Sequence, residues 1–167
     1  MRGMTDSMRW QMSSRINSFL SVLFGLGLHD MGPDAGDRLV EDIWYFCGKE
    51  MADLAKGCGA PPKTAGDLSV ALTEVLKTIF GGEYRSEIIE ISDERAVVLM
   101  RTCPCQLRAM ELGEDPSIVF HPCLSVAVSL VEGLKKDYSA RFIRGICMGD
   151  RNCEILIAPK VTLEGSD

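Results

Sequence analysis

Only two histidines occur in the 167 residues, His29 and His121. A Cys–His nucleophile pair would therefore have to use one of them, with Cys103 or Cys123 beside His121 as the available combinations. Long apolar runs are also missing. The longest nearly apolar stretch, residues 19–28, is half the roughly 20 residues that span a bilayer. Arg2, Arg9 and Arg15 accompany it, but no small-x-small cleavage site follows, so it does not read as a signal peptide. A basic surface is lacking too. The net charge is −6, which argues against sequence-independent nucleic-acid binding. There is no internal repeat, and Gly145 to Gly149 has no lysine at phosphate-loop spacing. The expectation is a cytoplasmic protein with no membrane span and no direct nucleic-acid contact.

Cysteine is what the chain does have, seven in all. An odd number in a chain of this length is unlike a secreted disulfide framework, which is shorter and evenly paired. In a reducing compartment these residues would be free thiols or metal thiolates.

Hydropathy sets the elements. Ile16, Phe19, Leu20, Leu23 and Phe24 recur at spacings of three and four, predicting a helix over 5–28. Asp30 to Pro33 breaks it. Leu39, Val40, Ile43, Trp44, Cys47, Met51 and Leu54 predict a second helix over 35–56, closed by Gly57 and the Pro61-Pro62 pair. Thr64 and Asp67 form a capping-box signal for a third, with Leu68, Leu72, Val75, Leu76 and Ile79 as its apolar stripe. The period then shortens. Residues 85–91 and 95–101 read as a β-hairpin, and 141–147 with 153–158 as another. Between them, helices are predicted over 104–112 and 122–136. The fold class is α+β: N-terminal helices, then two hairpins forming an antiparallel sheet, with intervening helices. Residues 1–32 read as a helical extension, 33–159 as the cysteine-bearing domain and 160–167 as a tail. The face carrying Leu20, Leu23, Phe24 and Leu28 fits either core packing or a homodimer contact. Glu83, Glu87, Glu90 and Glu94 read as a solvated face of the first hairpin.

The cysteines fall at element ends. Cys103-Pro104-Cys105 and His121-Pro122-Cys123 share the form X-Pro-Cys, and proline suits a first helical position. Cys103 and His121 are thus expected near N-caps, with Cys105 and Cys123 in first turns, where thiolate is favoured over thiol. Cys147 and Cys153 flank the last turn and are expected to face each other across it. Convergence at one sheet edge would give a metal site of Cys103, Cys123, Cys147 and Cys153, with Cys105 and His121 as further candidates. Thiolates suit zinc and iron–sulfur clusters equally, and a Cys147–Cys153 disulfide stays open. Cys47 and Cys58, among helical patterns, are expected to pack as small hydrophobes.

The closing segment, Cys147, Gly149-Asp150 and Cys153 followed by Ile155-Leu156-Ile157, resembles the end signature of 4-vinyl-reductase-type, hydrocarbon-binding domains. Cys103-Pro104 and the helix-opening Cys123 match the same layout. The methanogen output domain of archaeal signalling proteins is similar, with leading helices before a cysteine-bearing α+β part. The resemblance covers about residues 35–158 and departs from the pattern at residues 141–144, where a glutamate gives way to Arg141 and Arg144. It implies a small ligand- or metal-binding sensory domain with Cys103, Cys123, Cys147 and Cys153 as key positions. The main expectation is a non-enzymatic sensory or regulatory domain whose cysteines bind zinc or an iron–sulfur cluster, with a helix–sheet pocket as a place for an additional apolar ligand. Aminothiazoline-carboxylate hydrolases share the Cys-Pro and late cysteines, and supply the enzymatic alternative. A dimeric interaction module with a structural zinc is the third reading.

Overall fold

The computed structural model describes residues 5–29, 33–59 and 61–160. Three helices lead: α1 (Asp6–His29), α2 (Pro33–Lys56) and α3 (Ala65–Phe80). Strands β1 (Arg85–Ile91) and β2 (Ala96–Thr102) follow, then α4 (Pro104–Glu111), a 3-10 turn (Pro116–Val119) and α5 (Phe120–Leu134). Strands β3 (Tyr138–Arg144) and β4 (Cys153–Pro159) close the fold. The architecture is α+β, as the change of hydropathy period indicated. The break at Asp30 to Gly32 lies outside the described residues.

All strand pairs are antiparallel, in the order β1-β2-β4-β3. The two central strands are apolar at successive positions, Ala96 to Met100 and Ile155 to Ile157, and all eight are buried. Strands buried on both faces lose the polar alternation that a sheet with one solvated face keeps. The edge strand β1 keeps its glutamates outside, where Glu87 pairs with Arg101 and Glu90 with Arg95.

Local chemistry fixes the helix starts. The Thr64 hydroxyl accepts from the Asp67 N–H, and the Asp67 carboxylate accepts from the Thr64 N–H. Such reciprocal capping satisfies two amides that would otherwise lack partners at the helix start. The Lys63 and Thr64 amides hold the Asp67 carboxyl below the usual carboxylate range. Pro104 opens α4, with Cys103 as its N-cap. Gly81 closes α3 at φ 71, a backbone region that disfavours a side chain.

Two expected details differ. Helix α5 begins at Phe120, because the 3-10 turn opened by Asp115-Pro116 runs straight into it. His121 is therefore inside the first turn, not a cap. Cys147 sits in a further 3-10 turn, Ile146–Met148, whose exit at Gly149 has φ 99. The β3–β4 ladder ends at Arg144 opposite Glu154, so Cys147 and Cys153 are not cross-strand partners. The segment Pro116–Leu134 has the length and apolarity of a membrane span, which residues 19–28 lack. Here its Val126, Ala127, Leu130 and Val131 are buried in the protein core.

Candidate functional site

Helix α4 starts where β2 ends, so Cys103 and Cys105 enter the core at that junction, both buried. Helix α5 brings Cys123 against them. The Cys105 and Cys123 thiols donate to the Cys103 sulfur, and the Gln106 amide adds a donor at 3.5 Å. These donors push the Cys103 thiol well below its ordinary range, the Cys105 and Cys123 hydrogen bonds contributing most. The two donating thiols shift the other way, first because their protons are engaged and then because they are buried.

The β3–β4 connection supplies the other two cysteines. Burial raises Cys147 to about 11 and Cys153 to about 12. Both feel the charge on Cys103, which places them in its surroundings. The Ile146 amide donates to the Cys153 sulfur at 3.2 Å, and the Gln106 side-chain amide reaches the Ile146 carbonyl at 3.4 Å. Gln106 thereby ties α4 to this turn. Four thiols from three separate segments surround Cys103, all of them free.

His121 lies elsewhere. Its side chain is 61% exposed and pairs with Glu41 of α2 at 3.3 Å. It does not join the cysteines. Cys58 is exposed in the turn after α2 and donates to the Leu54 carbonyl at 3.4 Å. The His29 side chain lies outside the described residues. Among the described residues no three Cys, His, Asp or Glu side chains are placed to hold one metal ion.

A cavity of about 510 Å³ opens beside the cysteines. Helix α1 lines it with Leu20, Val22, Phe24 and Gly25, and α2 with Ile43, Trp44, Cys47 and Met51. Its inner wall includes Cys103, Cys105 and Cys123, with Val126 and Ala127 of α5, and Met100, Phe142 and Ile155 of the sheet. Cys47, expected only to pack, is a wall residue whose thiol is raised by burial. Trp44, Tyr84 and Phe142 carried no distinguishing signal in the sequence, because a cavity wall and a filled core use the same residue types.

No family model matches the chain, and no curated protein matches it. Solved structures do. The phenol-responsive sensory domain of the transcription activator PoxR, crystallised with phenol, superposes with a TM-score of 0.60 at 16% identity, over 86% of this chain and 74% of that one. The chain shares its fold. Subunit 3 of a trafficking protein particle complex from Naegleria fowleri, covalently bound to palmitic acid, superposes at 0.59 and 16% identity, over 90% of this chain and 99% of that one. These matches show a shared fold and do not show the 4-vinyl-reductase or methanogen output family that the closing cysteine motif resembles.

Proposed function

We propose that this chain is a sensory or regulatory domain that binds an apolar small molecule in the cavity between α1, α2, α5 and the sheet. The observation that carries the reading is the cavity itself, about 510 Å³ and walled almost wholly by apolar side chains and cysteines. Apolar walls with few polar groups are what small-ligand sites present. Both neighbours in fold are described with small molecules, phenol in one and palmitic acid in the other.

Size favours the larger class. An apolar cavity of about 150 Å³ takes one benzene, so roughly 25 Å³ serves each carbon. At that density this cavity holds on the order of 20 carbons, and a single ring would leave most of it empty. A long aliphatic chain or a fused ring system fits better.

Gly25 offers the test. It is buried on the cavity wall, and a Cβ added there meets nothing within 4 Å. Gly25→Phe therefore sets a ring on the cavity wall with no clash at its Cβ, and phenylalanine is a better helix former than glycine. Titrating palmitic acid and phenol by calorimetry, we expect palmitic acid to bind the wild type at least tenfold more tightly than phenol. Gly25→Phe is expected to lose that binding while melting no lower. Unchanged palmitic acid binding in Gly25→Phe, or no binding by the wild type, rejects the cavity as the site.

A second reading adds zinc or an iron–sulfur cluster at the cysteines. Its support is the meeting of Cys105, Cys123, Cys147 and Cys153 around Cys103, a soft donor set that both metals accept. The present side-chain arrangement engages Cys103 with two thiols and encloses no ion position, so binding requires these sulfurs to close on a common point. Anaerobically purified protein should then contain about one zinc, or iron with a visible charge-transfer band, and Cys153→Ser should lose it. A metal-free wild type sinks this reading and leaves the cavity reading standing.

A further inference from the structure

Helix α1 is turned inside out relative to an ordinary surface helix. The face it presents to the protein carries Ser14, Ser18, Val22 and Gly25, all buried. Its opposite face carries Met8, Met12, Ile16, Leu20 and Phe24 at every fourth position, each 45–57% exposed. A helix stabilised only by its own core would bury the large residues and expose the small ones. A contiguous exposed apolar stripe of this length marks a contact surface.

Charge identifies the occupant. The only ionised side chains of α1 are Asp6, Arg9 and Arg15. Arg9 pairs with Asp6, and Arg15 with Glu83 and Glu111. A helix lying on an anionic membrane needs unpaired basic residues along its polar face, and neither arginine is unpaired. A neutral apolar stripe suits a like stripe. Half of five or six large side chains amounts to roughly 500–600 Å², close to the ~800 Å² each partner gives to a standard interface.

The stripe is also symmetric about its middle. Ile16 lies midway between Met8 and Phe24, and between Met12 and Leu20. Two antiparallel copies crossing at Ile16 would set Met8 against the other copy's Phe24 and Met12 against its Leu20, the self-complementary arrangement a twofold axis requires. Leu20 and Phe24 are at the same time residues of the cavity wall, half exposed at its mouth.

From these observations we infer that α1 pairs with α1 of a second copy of this chain, and that the second copy closes the mouth of the ligand cavity. The closure rests on the ligand-binding reading above; the pairing does not. Ligand and self-association then stabilise each other, because the favourable term is shared and linkage is reciprocal.

Sedimentation of the full chain at tens of micromolar, without ligand, is expected to give the mass of two chains. Ile16→Glu, which alters the stripe but not the cavity wall, should give one chain with an unchanged circular dichroism spectrum. As an independent variant, Ile16→Cys in a Cys58→Ser background should form a covalent dimer under mild oxidation, which Cys58→Ser alone should not. A one-chain wild type overturns the pairing, and so does a two-chain Ile16→Glu; binding of that monomer to anionic vesicles would assign the stripe to lipid instead. For the closure, palmitic acid should leave Ile16→Glu at least about fivefold faster than the wild type. Equal release rates overturn the closure. If palmitic acid binds neither form, the ligand reading fails by itself, and closure is read from maleimide labelling of Cys47 in the Cys58→Ser background. That labelling should be slower in the dimer than in its Ile16→Glu counterpart, and equal rates reject closure.

Discussion

Gly48→Ala is expected to destabilise the protein by about 2 kcal/mol or more, although alanine is the better helix former by about 1 kcal/mol. A Cβ at position 48 would lie 2.0 Å from the Ser129 hydroxyl, 2.7 Å from the Val126 carbonyl oxygen and 3.1 Å from the Leu130 nitrogen. The hydroxyl can rotate, at the loss of its 2.6 Å bond to the Ser125 carbonyl. The Val126 carbonyl and the Leu130 amide belong to the α5 backbone and cannot. Helix α2 must therefore lift away from α5, which loosens contacts along both helices. Gly133 repeats the constraint from the other side, since a Cβ there would meet the Ala52 methyl at 2.6 Å. Because α2 and α5 bear opposite parts of the cavity wall, Trp44 and Cys47 on one and Val126 and Ala127 on the other, the displacement should also weaken palmitic acid binding. Urea unfolding checks the stability, with Gly27→Ala as the control. A Cβ at Gly27 meets nothing within 4 Å, so this variant should be at least as stable as the wild type. A Gly48→Ala chain as stable as Gly27→Ala would show that the two helices do not approach so closely.

The close approach of α2 and α5 was not legible in the sequence. Gly48 lies inside a helical pattern, where glycine signals only a weaker helix until its neighbour is known. What could be read was whatever depends on neighbours along the chain. The first three helices, the Thr64–Asp67 box and the Pro104 helix start are all local, and each appears where it was expected, although the large apolar residues of α1 face outward. The second X-Pro-Cys looked identical to the first, but Asp115-Pro116 starts a turn upstream that absorbs it into a longer helix. Cys147 was displaced from its expected strand by a 3-10 turn, which Gly149 permits and no hydropathy period reports. The grouping of cysteines at element ends was visible; the central position of Cys103 was not, because it depends on which sulfurs α5 delivers to α4. The cavity was hidden for a stronger reason. Its wall draws on α1, α2, α3, α5 and the sheet, and emptiness is a property of how those elements fit together, not of any residue in them.

The Glu83→Gln/Glu111→Gln double variant is expected to cost about 3 kcal/mol or more, and to cost more than removing the cation these residues neutralise. Arg108 is 2% exposed, the largest fully buried side chain among the described residues. Its guanidinium meets Glu83 at 3.2 Å and Glu111 at 3.0 Å. The Phe19 ring lies 5.2 Å from it, and Arg15 stacks on the same ring at 5.2 Å while pairing with both glutamates. The cluster ties α1 to α4 and to the turn after α3, one helical turn from Cys105. The asymmetry follows from exposure. The glutamates are 42–43% exposed, so Arg108→Met leaves them to water, keeps apolar contact with Phe19 and removes a desolvated charge. The double glutamine variant keeps the buried cation and takes away both anions. Arg108→Met should therefore lose about 1 kcal/mol or less, and Arg108→Ala about 2–3 kcal/mol through lost packing alone. Urea midpoints of the three variants decide the order. If Arg108→Met falls as far as the double glutamine variant, the ion pairs contribute net stability. The docking of α1, and with it one wall of the cavity, would then depend on charge rather than on the packing of Phe19 against the two guanidinium groups.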